Sequence, residues 1–101
     1  MTFVSVAKTT EIAVGEFKSV VVDGRPLLIC HTPDGFFAID DTCTHDDGPL
    51  ADGWLEDNAI ECPRHGARFD VKTGQPVTLP AVIPVQTYPV KLSGDDVFVE
   101  L

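Results

Sequence analysis

Four side chains that commonly bind transition metals fall in two short clusters of this 101-residue chain. The first cluster is Cys43-Thr44-His45 and the second is Cys62-Pro63-Arg64-His65. The chain has three cysteines and three histidines, so four of these six residues lie in the two clusters. Thiolates and neutral imidazoles are ligands of zinc and of iron–sulfur centres. The pattern therefore predicts a metal centre held by two loops.

The spacing within each cluster distinguishes a zinc site from a Rieske [2Fe–2S] centre. Structural zinc sites usually pair like ligands at short range, as two cysteines or two histidines. Here each cluster joins one cysteine to one histidine, and Cys43 and His45 are separated by a single residue. In a Rieske [2Fe–2S] centre, two histidines replace two cysteines on one of the two irons, which requires such a mixed set. A structural zinc module with an interaction role is the alternative from a different class.

Two segments, Asp41–His45 and Glu61–Gly66, resemble the two halves of the Rieske signature. Thr73-Gly74 and the proline-containing stretch after it also match the layout of that family, so the resemblance covers essentially the whole chain. It implies a third loop, Val77–Pro84, that shields the cluster. A rigid connection is the alternative interpretation of the same prolines.

The resemblance also assigns the ligands of one [2Fe–2S] cluster. It implies that Cys43 and Cys62 hold the inner iron, and that His45 and His65 hold the outer iron, which takes the electron.

The elements that must position these loops are predicted to be strands. Short runs of Val, Ile, Phe and Leu are broken by Gly, Pro and Asp, which is typical of an all-β chain. We expect one domain over residues 1–101, an antiparallel β-sandwich or open barrel of the Rieske fold. A cluster-binding hairpin subdomain is inserted at about residues 41–74. The predicted strands are Phe3–Ala7, Phe17–Val22, Leu27–His31, Phe36–Asp40, Gly53–Glu56, Ala59–Glu61, Ala67–Val71, Gln86–Leu92 and Val97–Leu101.

Charge and hydropathy exclude several classes of partner. The formal net charge of −9 argues against nucleic acid and against anionic membranes, and it favours a basic protein partner. No run approaches the roughly 20 apolar residues that a membrane span needs. The first residues lack the features of a signal peptide, so we expect a cytoplasmic protein. A carrier of this kind is expected to be a monomer.

The composition also argues against an enzyme. A Rieske oxygenase needs a second, mononuclear iron held by two histidines and a carboxylate. If His45 and His65 bind the cluster, only His31 remains, and one histidine cannot build that site. The sequence contains no glycine-rich dinucleotide fingerprint, so a reductase is excluded as well. The remaining function is one-electron transfer between two other proteins.

The chain resembles the ferredoxin component of bacterial multicomponent ring-hydroxylating dioxygenases. This similarity implies two transient partners, an NAD(P)H-dependent flavin reductase and a terminal oxygenase. The small subunit of an assimilatory nitrite reductase, which is also Rieske-like, is the alternative within the same fold.

Four positions distinguish this chain from the Rieske proteins of quinol-oxidising complexes. Those proteins carry a disulfide between the ligand loops, where this chain has Gly48 and Arg64. They also place hydroxyl groups near the cluster, where this chain has Ala67 and Phe69. Hydroxyl hydrogen bonds stabilise the reduced cluster, so their loss predicts a low potential, roughly −150 mV.

Three further expectations concern residues near the loops. Cys30 ends an apolar run and is expected in the core, and Trp54 is expected to pack beneath the inserted hairpin. Arg64 and Arg68 either contact an acidic partner or pair internally, with Asp46 or Asp47 as the candidate acids.

Overall fold

The computed structural model describes residues 2–44, 47–64, 66–79 and 81–101. In these ranges the regular structure consists of eleven short strands and two single 3-10 turns, Thr9–Glu11 and Leu50–Asp52, without an α-helix. No helix long and apolar enough to cross a membrane was found in the described ranges. The strands are β1 (Phe3–Lys8), β2 (Phe17–Val22), β3 (Arg25–Thr32), β4 (Gly35–Asp40), β5 (Trp54–Glu56), β6 (Ala59–Glu61), β7 (Arg68–Asp70), β8 (Pro76–Thr78), β9 (Thr87–Tyr88), β10 (Val90–Ser93) and β11 (Asp96–Glu100).

The strands form three antiparallel sheets. The first sheet has the order β1-β11-β10, and the second has the order β2-β3-β4-β9. The third sheet, β5-β6-β7-β8, is built entirely from the segment between β4 and β9. The all-β, antiparallel architecture predicted from the sequence is confirmed.

The tight turn between β2 and β3 shows how local sequence sets the strand register. Asp23 and Gly24 both have positive φ, 51° and 77°. A two-residue turn of this kind matches the twist of the flanking strands, and Asp-Gly is favoured there because both residues tolerate this backbone region. The turn pairs Val22 with Arg25 and aligns the rest of β2 with β3.

Strand β3 connects two hydrophobic cores. Its residues Leu27–Cys30 are all fully buried, although neighbouring side chains point to opposite faces of a strand. Leu27 and Ile29 pack in a core with Val97 and Val99 of β11. Leu28 and Cys30 pack in a second core, which continues into the third sheet. The predicted core position of Cys30 is confirmed.

One predicted strand was wrong, and one strand of the structure was not predicted. The segment Gln86–Leu92 is not one strand, because the chain changes sheets at Pro89: β9 pairs with β4, and β10 pairs with β11. Proline has no N–H to donate to a ladder, which suits a position between two sheets. Strand β8 was not predicted, since its sequence Pro-Val-Thr is short and begins with a proline.

Trp54 does not pack in the core as expected. Its exposed fraction is 49%, and its neighbour Leu55 packs against the buried cluster instead. Alternation along β5 explains the difference, because only one face of this three-residue strand is directed inward. Trp54 is therefore on the solvent face of the third sheet, paired with Glu61 of β6.

Candidate metal centre

The two cysteines of the predicted centre come together in one buried cluster of side chains. Cys43 follows β4 and Cys62 follows β6, and both are 0% exposed. Both belong to the core that also contains Leu28, Ile60 and Phe69. The other two predicted ligands, His45 and His65, lie outside the described residues.

The two cysteines begin loops with the same backbone hydrogen bonds. The N–H of Cys43 donates to the carbonyl of Gly48 at 2.8 Å, and the N–H of Asp47 donates to the carbonyl of Cys43 at 2.7 Å. In the second loop, the N–H of Cys62 donates to the carbonyl of Ala67 at 2.7 Å. The N–H of Gly66 then donates to the carbonyl of Cys62 at 3.1 Å.

The shared geometry requires one residue in the left-handed region of each loop. Asp47 has φ 61° and Gly66 has φ 76°, and each lies four positions after its cysteine. Aspartate and glycine are among the residues that adopt this region most readily. We name residues 43–48 the first ligand loop and residues 62–67 the second ligand loop.

The walls of the site are apolar. Ala67 and Phe69 are fully buried in the cluster that contains Cys43 and Cys62, and Leu50 completes the same wall. Cysteine side chains bind zinc and the irons of iron–sulfur clusters as thiolates. Two buried cysteines on matched loops therefore suit a metal group that binds them as thiolates.

Cys30 differs from the two loop cysteines in its environment. It lies within β3, is fully buried and makes no disulfide bond. Burial, with a smaller effect from the charge of Asp41, raises the pKa of its thiol to about 12. Such a thiol stays protonated at neutral pH and serves as an apolar core residue.

Arg64 reaches from the second ligand loop to the first. Its Nη2 donates to the carbonyl oxygen of Pro49 at 3.2 Å, and its Nη1 lies 3.6 Å from Oδ2 of Asp52. A Cβ atom built on Gly48 would lie only 2.5 Å from Cζ of Arg64, so the guanidinium lies directly against this glycine.

Arg68 pairs within the third sheet. Its Nη2 lies 3.4 Å from Oε1 of Glu56, and its Nε lies 3.6 Å from Oε1 of Glu61. Both arginines form internal ion pairs, but no described pair involves the expected acids, Asp46 and Asp47. The acids in the described pairs are Asp52, Glu56 and Glu61, and of the two candidate acids Asp46 lies outside the described residues.

The proline-containing segment 77–84 contacts the first ligand loop. The hydroxyl of Thr44 donates to the carbonyl of Ile83 at 2.6 Å. Ala81 and Val85 are buried in the core of the site, whereas Leu79 and Val82 are 76% and 69% exposed. The segment is therefore linked to the first ligand loop through Thr44 and exposes apolar side chains. Its role as a shielding loop stays a prediction.

Sequence reasoning missed the role of Asp41. Its Oδ1 accepts a hydrogen bond of 2.8 Å from the N–H of Ala51, which closes the segment that contains the first ligand loop. The two residues are ten positions apart in an irregular segment, so no periodic pattern could have predicted this bond. Thr44 was missed in the same way, because its partner Ile83 is far away in the sequence.

Comparison with known proteins agrees with this geometry. Residues 2–89 match the family profile described as the Rieske [2Fe–2S] domain. The chain belongs to the Rieske family. This Rieske protein is 42% identical over 101 residues to the ferredoxin component of biphenyl 2,3-dioxygenase from Rhodococcus jostii, and the match covers 100% of the chain and 94% of that relative.

Solved structures of dioxygenase ferredoxins have the same fold as this chain. The ferredoxin of carbazole 1,9a-dioxygenase from Nocardioides aromaticivorans superposes with a TM-score of 0.92 at 36% identity, covering 98% of this chain and 97% of that one. A ferredoxin-sized chain from a complex of reduced oxygenase and oxidised ferredoxin in carbazole 1,9a-dioxygenase has a TM-score of 0.90 at 34% identity. That match covers 96% of this chain and 91% of the other. This Rieske protein therefore carries one [2Fe–2S] cluster and is an electron-transfer protein rather than an enzyme.

Proposed function

We propose that this Rieske protein carries single electrons from an NAD(P)H-dependent flavin reductase to the terminal oxygenase of a ring-hydroxylating dioxygenase system. The observation that carries the proposal is the pair of buried cysteines, Cys43 and Cys62, on two loops with the same hydrogen bonds. When bound, the Rieske cluster supplies a one-electron couple. The two ligand loops would hold it, and the apolar core that contains Cys43 and Cys62 would exclude water from that side.

The proposed ligands are the four residues of the sequence motif. Cys43 and Cys62 bind one iron as thiolates from the buried side, and His45 and His65 bind the other iron. The matched loops support the cysteine assignment, since each loop presents its cysteine from an equivalent backbone position. The histidine assignment follows from the mixed ligand set that defines a Rieske centre.

The oxygenase partner is supported by one of the related structures, which is described as a complex of an oxygenase with its ferredoxin. In this chain the segment 77–84, which is linked to Thr44 of the first ligand loop, exposes the apolar side chains Val77, Leu79, Val82 and Ile83. The net charge of −9 would steer a basic partner surface toward the protein. The reductase is proposed because a carrier of this type needs an electron donor, and both contacts are proposed to be transient.

A low potential is proposed from the residues around the cysteines. Ala67 and Phe69 are both 0% exposed and belong to the same buried cluster as Cys43 and Cys62, and neither side chain has a hydroxyl group. Without hydroxyl donors to the cluster sulfurs, the reduced state loses a source of stabilisation. We therefore propose a potential near the low end of the Rieske range, roughly −150 mV.

The proposal treats residues 1–101 as one domain with a cluster-binding subdomain at about residues 41–74, acting as a cytoplasmic monomer. The third sheet supports this boundary, since β5–β7 lie within that segment and β8 follows directly. The shared buried core, which joins Leu28 and Ile39 to Ile60 and Phe69, supports a single folding unit.

The first test is film voltammetry and metal analysis of protein purified without oxygen. Two irons and two sulfides per chain, with one reversible wave near the low end of the Rieske range, are expected. Cys43→Ser and Cys62→Ser should each abolish this wave, whereas Cys30→Ser should retain it. Zinc without iron would overturn the metal assignment, and a wave several hundred millivolts higher would overturn the low-potential carrier.

The second test reconstitutes the electron pathway. Purified reductase and oxygenase components of a ring-hydroxylating system should consume NADH and hydroxylate their substrate only when this protein is added. The His45→Cys and His65→Cys variants should change the electron paramagnetic resonance spectrum, because sulfur replaces nitrogen on one iron. If iron-loaded parent protein supports no turnover with any such reductase and oxygenase pair, the proposed partners are wrong.

A further inference from the structure

The backbone conformation at Gly48 does not require a glycine. Six other glycines of the chain have positive φ, between 58° and 132°, whereas Gly48 is not among them. A side chain at this position would instead meet Arg64, with Cζ at 2.5 Å, Nη2 at 2.6 Å and Nε at 2.7 Å from an ideal Cβ. The position is glycine because the guanidinium occupies the space of a side chain.

Arg64 contacts the first ligand loop where that loop closes. The carbonyl of Gly48 accepts the N–H of Cys43, and the next carbonyl, that of Pro49, accepts Nη2 of Arg64 at 3.2 Å. Nη1 lies 3.6 Å from Asp52, in the 3-10 turn that follows. Although the Arg64 side chain is on the surface, it remains only 30% exposed because it lies against the other loop.

We propose that Arg64 is a positioning residue that clamps the two ligand loops together, with Gly48 as the surface on which its guanidinium rests. The planar guanidinium suits this position, since it stacks flat on a backbone while its N–H groups reach a carbonyl and a carboxylate. The inference rests on the proposed binding of the cluster by these two loops.

The physical consequence concerns how readily the loops separate. Cys43 and Cys62 are on different loops, and the described contacts of Arg64 run from the second loop to Gly48, the last residue of the first loop, and to Pro49 and Asp52 after it. A charge-assisted hydrogen bond on a partly exposed side chain contributes about 1 kcal/mol. Loss of the clamp should therefore increase the opening of the loops, and the rate of cluster release, about fivefold.

The two members of the clamp can be tested separately. Arg64→Ala removes the guanidinium and its charge. Gly48→Ala keeps the charge but places a methyl group where the guanidinium rests, at a backbone conformation that alanine can adopt. Arg64→Lys keeps a charge without the planar fork. Arg68→Ala is the matched control, because its described partners, Glu56 and Glu61, lie in its own sheet.

The experiment measures loss of the visible absorption of the iron-loaded protein in the presence of a ferrous chelator. Gly48→Ala and Arg64→Ala should each accelerate this loss about fivefold, and the double variant should be no faster than Arg64→Ala alone. Arg64→Lys should fall between Arg64→Ala and the parent, and Arg68→Ala should match the parent. In voltammetry, Arg64→Ala should lower the potential more than Gly48→Ala, because only Arg64→Ala removes a positive charge.

Several outcomes overturn the clamp. A Gly48→Ala protein that releases its cluster at the parental rate would show that the guanidinium does not act through this contact. If the rate increase in the double variant equals the product of the two single increases, the two positions act independently. If the parent itself contains no [2Fe–2S] cluster, the proposed function fails first. If a variant does not fold, which circular dichroism would reveal, the remaining single variant and Arg64→Lys still decide the question.

Discussion

The hydroxyl of Thr44 donates a hydrogen bond of 2.6 Å to the backbone carbonyl of Ile83. This bond joins the first ligand loop to the segment 77–84, from which it is distant in sequence. Segment 77–84 is buried at Ala81 and is followed by the buried Val85, but it exposes Val82 and Ile83 between these two residues. The Thr44 hydrogen bond is therefore a specific link between a surface-exposed stretch and the residue that follows Cys43.

Thr44→Val should loosen the segment 77–84 without removing side-chain volume. Loss of one hydrogen bond costs about 1 kcal/mol, so hydrogen exchange at the amide of Val85, which donates to the carbonyl of Gly74, should accelerate about fivefold. Thr44→Ser keeps the hydroxyl and should exchange like the parent. Equal protection in the valine and parent proteins, measured by mass spectrometry, would show that the bond does not hold the segment.

Ala67→Ser and Phe69→Tyr should each raise the reduction potential. Both positions are fully buried in the same core as the cysteines, so a new hydroxyl would be shielded from bulk water and its proposed acceptor is a cluster sulfur. One hydrogen bond of about 1 kcal/mol to the reduced state corresponds to a rise of about 40 mV for one electron. Phe69→Leu changes the packing without adding a hydroxyl and should produce no such rise in voltammetry. Unchanged potentials in both hydroxyl variants would contradict the explanation of the low potential.

Cys30 should resist alkylation in the folded protein. Its thiol pKa of about 12 leaves about one thiolate in ten thousand at pH 8, and the side chain is fully buried. Iodoacetamide should therefore leave the Cys30 peptide unmodified in the iron-loaded protein. In denaturant with a chelator, all three cysteines should react. Rapid labelling of Cys30 under native conditions, read by peptide mass spectrometry, would refute its core assignment.

The ion pair of Lys72 with Asp34 should stabilise the protein only where both groups are charged. Lys72 Nζ lies 2.9 Å from Oδ2 of Asp34, and the same oxygen accepts a hydrogen bond from Asn58 at 3.0 Å. The hydrogen bond from Lys72, with that from Asn58, lowers the pKa of Asp34, and the partner carboxylate raises the pKa of Lys72. The stabilisation is thus present above the ordinary pKa of aspartate and below that of lysine.

Comparison of the parent with Lys72→Met by urea unfolding tests this range. The difference in midpoint should be constant near neutral pH and should shrink as pH falls through the lowered pKa of Asp34. Because both groups are on the surface, the difference should be small. Lys91→Met, whose ammonium lies over the ring of Phe3 instead of against a carboxylate, is the control and should show no such change in acid. A difference that persists below that pKa would mean that Lys72 acts through packing rather than charge.

The sequence alone predicted most of the strands and identified the two loop cysteines, but it missed β8 and the break at Pro89. Apolar runs such as Phe17–Val22 and Ala59–Glu61 became strands with the predicted bounds, because their alternation and their flanking turn residues are local signals. The mixed pairs of cysteine and histidine predicted the Rieske family, since ligand type and spacing are read directly from the chain. The ligand assignment itself stays a prediction, with His45 and His65 outside the described residues.

Only the tertiary structure decided how the two ligand loops are joined. The contact of Arg64 with Gly48, the bond from Thr44 to Ile83 and the outward direction of Trp54 all depend on which distant segments meet. Such contacts leave no periodic pattern in a sequence, because they arise when separate strands and loops pack together. The chain thus specifies locally what can bind a metal, and the packing of its sheets specifies how the two loops are held.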